Sequence, residues 1–123
     1  MTWIGNHLKV SVLASHRPRV REFYLDALRC AEMKSPIPDL DLFLFEGGFV
    51  LGVFYCENPA DVLDEMEQRK GAWLEIKAKN VEALKHRLKK FGVREVDYVD
   101  TARMYFQAPG GQVFRLAPMD GGL

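Results

Sequence analysis

The sequence predicts an α+β fold built from two similar halves, and three observations support this prediction. The chain has 123 residues, 48% hydrophobic and 28% charged, which suits one compact domain. Its hydrophobic pattern gives a strand, a helix, a short strand and a β-hairpin in that order. The same order then returns after about sixty residues, which indicates an internal duplication of a βαβββ module.

The first half opens with a strand and a helix. Polar and apolar residues alternate over 7–12, the period of a half-buried strand. Pro18 suits a first helical turn, and apolar residues recur at helical spacing as far as Leu28. Two prolines then predict a loop or a sheet edge over 35–39, because proline cannot continue a helix.

A hairpin completes the first half. Two apolar runs, 40–45 and 49–55, are separated by Glu46-Gly47-Gly48, where paired glycines supply the positive φ angles of a tight turn. A charged stretch follows, and we expect it to be a surface connector with a short helix over 60–68.

The second half repeats this order. Alternation over 73–78 predicts a strand, Asn80 is placed to cap a helix over 81–91, and Gly92 ends that helix. Three strand-like segments follow, over 94–99, 103–108 and 112–117. Pro109-Gly110-Gly111 is expected to turn the last pair, and 119–123 to be a frayed tail.

Composition disfavours several classes of function. The 17 basic and 17 acidic residues give a net charge of +0 without a basic stripe, which argues against nucleic-acid binding. No apolar run approaches the roughly 20 residues of a membrane span, and no secretion signal is visible, so a cytoplasmic protein without membrane contact is expected. Cys30 and Cys56 are too few and too far apart for a metal knuckle or a disulfide framework, which predicts buried free thiols.

Four segments carry a family resemblance through their order and spacing. They are Asn6-His7-Leu8-Lys9-Val10-Ser11-Val12, Phe23-Tyr24-Leu25-Asp26-Ala27-Leu28, Asn80-Val81-Glu82-Ala83-Leu84 and Ala108-Pro109-Gly110-Gly111-Gln112-Val113-Phe114-Arg115-Leu116. Together they resemble the vicinal oxygen chelate superfamily of glyoxalases, bleomycin-resistance proteins and extradiol dioxygenases, over nearly the whole chain. Arg29 stands where that family usually has glycine.

The resemblance implies tandem βαβββ modules that form a curved mixed-sheet cup with helices on its outer face. We therefore expect a single domain over 1–123 that contains both modules. Module one is expected at about 5–57, a connector at about 58–71 and module two at about 72–118.

Metal-using members of the family supply four ligands across the cup, and this chain keeps one of them. The four positions fall on His7, Gly52 (or Leu51, if the register is displaced by one residue), Trp73 and Arg115. Because a catalytic metal needs three or more protein ligands, no metal or other cofactor is expected. Glu75 lies on the same strand face as Trp73, so His7 and Glu75 remain as the one candidate pair of metal ligands.

Strand alternation divides the remaining side chains between two faces. The apolar set expected beneath the helices comprises Leu8, Val10, Val12, Leu74, Ile76 and Ala78. The polar set expected to line the cup and bind a ligand comprises His7, Lys9, Ser11, Trp73, Glu75, Lys77 and Arg115.

Two interpretations of this polar set stay open. In the first, Glu75 pairs with Lys9 or Arg115 only to fill space. His7 is then a hydrogen-bonded side chain and Trp73 packs as core. In the second, Arg115 binds a carboxylate or phosphate while Trp73 stacks on a planar ring.

Three functions follow from these interpretations. The leading hypothesis is a homodimeric glyoxalase/bleomycin-resistance-like protein that binds a small planar or anionic molecule in its cup without metal. The alternative is an enzyme, a glyoxalase-like lyase or isomerase or a dioxygenase, with a divalent metal at the depleted site or with Glu75 as general base. The third is a structural or regulatory module that acts through a partner, because one fold hosts many functions.

Overall fold

The computed structural model describes residues 1–122, and these form two compact units that divide between Leu63 and Asp64. Each unit contains one four-stranded mixed sheet. The division falls inside the segment expected to connect the two modules. Within 1–122, no helix has the length and apolar character to cross a membrane.

The first unit has the predicted order of strand, helix and three strands. Its elements are β1 (His7–Leu13), α1 (Arg17–Glu22), β2 (Ala31–Met33), β3 (Leu40–Leu44) and β4 (Val50–Cys56). The strands lie in the order β1-β4-β3-β2, with β1 parallel to β4 and the other pairs antiparallel. The glycine turn between β3 and β4 is confirmed, because Gly47 and Gly48 both have positive φ angles.

The first helix is shorter than the prediction, and it continues as a π-helical turn over Phe23–Ala27. The Leu28 amide donates to the Phe23 carbonyl oxygen, five residues earlier, at 3.0 Å. This turn places Phe23 and Tyr24 in the core, where the Tyr24 ring stacks on Phe43 at a centroid distance of 4.9 Å. The apolar stripe therefore stays buried although the helix changes its hydrogen-bond pattern.

Arg29 closes this helix in a conformation that favours glycine. Its φ is 58°, and it is the one non-glycine residue with positive φ in the part of the chain described. The Cys30 amide donates to the Tyr24 carbonyl oxygen at 2.9 Å, one residue further back than the outer bond of a Schellman cap, because the helix ends in a π-helical turn. Arg29 thus occupies a left-handed position at the C-terminus of the helix, where the resembling family usually has glycine.

Replacing Arg29 with glycine is expected to stabilise the protein. Glycine has no Cβ to resist a left-handed conformation, so the free energy of unfolding should rise by about 1 kcal/mol in urea titrations. Arg29→Ala is the control, because it removes the same exposed charge and keeps the Cβ. An equal gain in both variants would assign the effect to the arginine side chain rather than to backbone strain.

The second unit repeats the module behind a short helix. Its elements are α2 (Glu65–Gln68), β5 (Leu74–Ala78), α3 (Val81–Phe91), β6 (Arg94–Glu95), β7 (Met104–Gln107) and β8 (Val113–Pro118). The strands lie in the order β5-β8-β7-β6, with β5 parallel to β8. The bounds of α3 confirm the prediction, since the Asn80 side chain accepts from the Ala83 amide and Gly92 ends the helix at φ 95°.

Three segments correct the sequence prediction. The single helix expected over 60–68 is a 3-10 turn, Pro59–Asp61, followed by α2, because Asp64 makes a new N-cap with Glu67. The strand expected over 94–99 stops at Glu95. The end of the chain is not frayed as far as residue 122, because the Lys77 ammonium donates to the Gly121 carbonyl oxygen at 2.8 Å; Leu123 lies outside the described residues.

Both cysteines are free thiols, but they are half-buried rather than buried. Burial raises the pKa of the Cys30 thiol to about 12. We therefore expect Cys30 to react with iodoacetamide at pH 8 at least about a hundredfold more slowly in the folded protein than in urea, because the thiolate is the nucleophile. A Cys56→Ser background isolates Cys30 in this measurement. Equal rates in both states would contradict the prediction.

Candidate functional site

Strand register places Glu75, Arg115 and Tyr105 side by side on the second sheet. Glu75 of β5 is paired with Arg115 of β8, and Arg115 is paired with Tyr105 of β7. The residues that alternate with them, such as Ile76 and Leu116, are buried, and α3 packs against β5 and β8. The three side chains therefore share one face of the sheet.

Arg115 is the centre of this arrangement. Its Nη1 contacts the Glu75 carboxylate, and its Nε donates to the Tyr105 hydroxyl at 3.1 Å. Its Nη2 is held less closely, 3.4 Å from the Gly122 carbonyl oxygen and 3.7 Å from Asp100 Oδ2. The guanidinium is thus fixed on two sides, and Nη2 is the nitrogen with the weakest existing contacts.

Neighbouring groups fix the protonation states in the site. The Tyr105 hydroxyl donates to Asp100 Oδ2 at 3.0 Å, and this bond, together with the charge of Arg115, lowers the pKa of the Asp100 carboxyl. Burial and the bond to Asp100 raise the pKa of Tyr105. At neutral pH the site therefore contains a neutral tyrosine between a carboxylate and a guanidinium.

Tyr105, which contacts the guanidinium, belongs to a group of three aromatic rings. Trp73 and Tyr105 have a centroid distance of 5.6 Å, and Tyr98 lies 4.9 Å from each of them. The Trp73 indole N–H already donates to the Arg69 carbonyl oxygen at 3.0 Å. Tyr98 is 49% exposed, so the aromatic group reaches the surface. We call Trp73, Glu75, Tyr98, Asp100, Tyr105 and Arg115 together the Arg115 cluster.

The structure separates the seven predicted ligand-binding residues into two sets. Trp73, Glu75, Lys77 and Arg115 lie in the second unit, where the Lys77 ammonium is 3.8 Å from Glu75. His7, Lys9 and Ser11 lie on β1 of the first unit. Of the two partners considered for Glu75, the structure places Arg115 against it.

The first-unit set has contacts of its own. The Lys9 ammonium donates to the Ser11 hydroxyl at 2.8 Å and lies 5.4 Å from the Phe54 ring centre. His7 faces Gly52, since a Cβ added to that glycine would lie 3.4 Å from His7 Cε1. Lys9 and Ser11 therefore form a pair of their own within the first unit.

Sequence reasoning missed Tyr98, Asp100 and Tyr105. Tyr105 carried a usable signal, because it lies in the middle of the strand predicted over 103–108 and period-two alternation assigns it a face. Tyr98 and Asp100 carried no such signal, because they lie in the connection between β6 and β7, part of which the sequence predicts as a strand. Their contacts depend on how that connection folds, not on local periodicity.

The residues at the four family metal positions do not fit a divalent metal. Gly52 has no side-chain ligand atom, the Trp73 side chain offers only an N–H group and Arg115 is a cation. The carboxylate of Glu75 is bound to Arg115. Within residues 1–122, no group of three or more His, Cys, Asp or Glu side chains is placed to hold a metal ion.

Comparison with known proteins gives structural matches. No protein-family model and no curated protein matches the sequence. The fosfomycin resistance protein FosX from Listeria monocytogenes is 20% identical with a TM-score of 0.72, over 100% of this chain and 97% of that chain. A Bacillus anthracis protein assigned to the glyoxalase family is 16% identical with a TM-score of 0.73, over 96% and 98%.

An antibiotic-binding protein from a Streptomyces species also matches, at 17% identity and a TM-score of 0.66, over 95% of this chain and 96% of that chain. All three are vicinal oxygen chelate proteins, and each is matched over nearly its full length. At these identities the likeness concerns the fold. The chain therefore has the α+β fold of the vicinal oxygen chelate superfamily, with two βαβββ modules in tandem.

Proposed function

We propose that this protein binds a small planar or anionic organic molecule at the Arg115 cluster, without a metal ion. The observation that carries the proposal is the contact of the Arg115 guanidinium with Tyr105, whose ring packs with those of Trp73 and Tyr98. The Arg115 side chain is 14% exposed, so a ligand would meet it in a partly desolvated setting. Aromatic surface and a few fixed polar groups are the usual composition of a small-molecule site.

The geometry assigns a role to each part of the cluster. Arg115 Nη2 has the longest contacts and is the nitrogen that a ligand carboxylate or phosphate would engage. The indole N–H of Trp73 is occupied by a backbone oxygen, so the tryptophan offers its ring rather than a hydrogen bond. Tyr98, the most exposed ring of the three, is placed to contact a planar ligand.

Glu75, Asp100 and Tyr105 act as positioning residues in this proposal. Glu75 and Tyr105 hold Nη1 and Nε of the guanidinium, and Asp100 holds the Tyr105 hydroxyl, so Arg115 does not have to become ordered when a ligand binds. Such preorganisation reduces the entropic cost of binding. Glu75, the candidate general base of the enzyme alternative, serves here as an ion-pair partner of Arg115.

One structural match is a precedent for ligand binding on this fold. It is described as an antibiotic-binding protein. The donor set at the family metal positions supports the metal-free form of the proposal. The homodimer belongs to the same proposal, because pairing between copies commonly covers sheet edges in the resembling family.

Tryptophan fluorescence tests the proposal directly. Trp73 belongs to the cluster, whereas Trp3 is 87% exposed and lies in the other unit. We expect naphthoate, a planar carboxylate, to change the emission of a Trp3→Phe variant saturably. The naphthoate ring would contact the aromatic rings of the Arg115 cluster, which include Trp73, the one tryptophan left in this variant. The matched Trp73→Phe variant, which retains Trp3, should show no saturable change. A saturable response that persists in Trp73→Phe would place the binding site elsewhere.

A further inference from the structure

A second polar centre lies in the first unit, around the carboxylate of Asp41. This side chain is 5% exposed on β3, between apolar neighbours. Its Oδ1 accepts hydrogen bonds from Arg17 and Arg21, each at 2.9 Å, and its Oδ2 accepts from the Tyr55 hydroxyl at 2.8 Å. One buried carboxylate therefore fixes two arginines that are one helical turn apart.

The two arginines line an open surface cavity of about 630 Å³. The end of β2 and the connection between β2 and β3 also line the cavity, with apolar side chains including Met33, Ile37 and Pro38. Met33 and Ile37 are 39% and 44% exposed. This volume lies in the range of small-molecule sites, roughly 300–1,000 Å³.

The charged groups of the cavity favour an anion. Its lining contains the cations Arg17, Arg21 and Lys34 and the carboxylates Asp41 and Glu32, which leaves one net positive charge. Each guanidinium has five N–H donors, and each arginine makes two side-chain hydrogen bonds within the described residues. Donors therefore remain for a further acceptor.

One of the existing contacts is easily exchanged. Arg21 Nη2 binds Glu32 Oε2 at 2.7 Å, but the Glu32 side chain is 46% exposed on an edge strand. Exposed ion pairs contribute little free energy, so a ligand carboxylate can replace Glu32 at small cost. Asp41, by contrast, is buried and keeps the guanidinium groups in place.

We infer that this cavity is a second ligand site, which takes an organic carboxylate with a short apolar chain. The carboxylate binds the guanidinium groups of Arg17 and Arg21, and the chain lies against Met33 and Ile37. Lys34 adds positive charge at the rim. The site lies wholly within the first unit, so it is distinct from the Arg115 cluster and does not depend on the function proposed for that cluster.

Backbone NMR of the full chain tests this inference, with hexanoate as probe and hexan-1-ol as its uncharged match. Hexanoate should shift the amide resonances of the non-proline residues of α1 and of 33–38 saturably, and hexan-1-ol should shift them far less. Resonance changes confined to the Arg115 cluster, equal effects of both probes, or no saturable change with hexanoate would each overturn the inference.

Variants separate the charge contribution from folding. Arg21→Gln should weaken hexanoate binding about tenfold, because it removes one of the two guanidinium groups that bind the carboxylate. Lys34→Gln changes an exposed residue, leaves Asp41 and its partners intact, and should weaken binding about twofold. Lys89→Gln removes an equivalent exposed charge from α3 and should have no effect. Unchanged affinity in Lys34→Gln and Arg21→Gln would overturn the assignment, and Lys34→Gln keeps the test valid if Arg21→Gln unfolds.

Discussion

Replacing Asp41 with alanine is expected to lower the free energy of unfolding by about 3 kcal/mol. The substitution removes the acceptor of three hydrogen bonds and leaves Arg17 and Arg21 beside each other without their shared counter-charge. It also leaves the Tyr55 hydroxyl without its acceptor in a buried position. The figure is at the lower end for a buried ion pair because the two arginine side chains are each 33% exposed and keep part of their hydration.

Urea unfolding of Asp41→Ala and two comparison variants measures this effect. Asp39→Ala is the matched control, since it changes an exposed aspartate two residues away whose side chain makes none of these bonds. Asp41→Asn should lose less than Asp41→Ala, because an amide oxygen can still accept from Tyr55 or one arginine. If Asp41→Ala costs no more than Asp39→Ala, the buried carboxylate does not stabilise the first unit.

The elements predicted best are those whose signals lie within the element itself. The helix over 81–91 has an N-cap at Asn80, an apolar stripe and a glycine stop at Gly92, and the structure gives it the predicted bounds. The segment 60–68 contains a capping pair, Asp64 and Glu67, which begins a new helix in its middle. The pair is hard to recognise in the sequence, because the whole segment is charged. Local signals fix an element only when its boundaries are themselves visible in the sequence.

The Arg115 cluster shows where local reasoning ends. Alternation placed Trp73, Glu75 and Arg115 on one face, because strand period and parallel register are enough to decide this. Asp100 lies in the connection between β6 and β7. Hydrophobic periodicity does not predict the conformation of that connection, so it does not predict the position of Asp100.

Asp41 is a similar case in the first unit. It is a lone acidic residue in an apolar run, but its arginine partners lie 20 and 24 residues away along the chain. A polar residue in such a run predicts that the residue has a hydrogen-bond partner in the fold, but the run does not identify that partner. Only the packing of α1 against the first sheet identifies which side chains satisfy the carboxylate.

Replacing Arg115 with glutamine is expected to weaken naphthoate binding by about tenfold or more, and to leave binding of the neutral amide, naphthamide, nearly unchanged. The reason is that Nη2 supplies a charge-assisted hydrogen bond to the carboxylate, whereas the ring contacts with Trp73 and Tyr98 are the same for both compounds. Fluorescence titration in the Trp3→Phe background gives both affinities. Lys77→Gln is the control for charge, since it removes a neighbouring cation that lies 3.8 Å from Glu75 and donates to the Gly121 carbonyl oxygen.

Arg115→Lys separates charge from geometry in the same assay. Lysine keeps the positive charge but cannot contact Glu75, Tyr105 and a ligand at once, because it lacks the planar fork of donors. If the preorganised guanidinium is what recognises the anion, Arg115→Lys should bind naphthoate nearly as weakly as Arg115→Gln. Affinity restored by lysine would mean that the site attracts anions by charge alone. Equal losses for naphthoate and naphthamide would mean that Arg115 supports the aromatic group and does not contact the ligand.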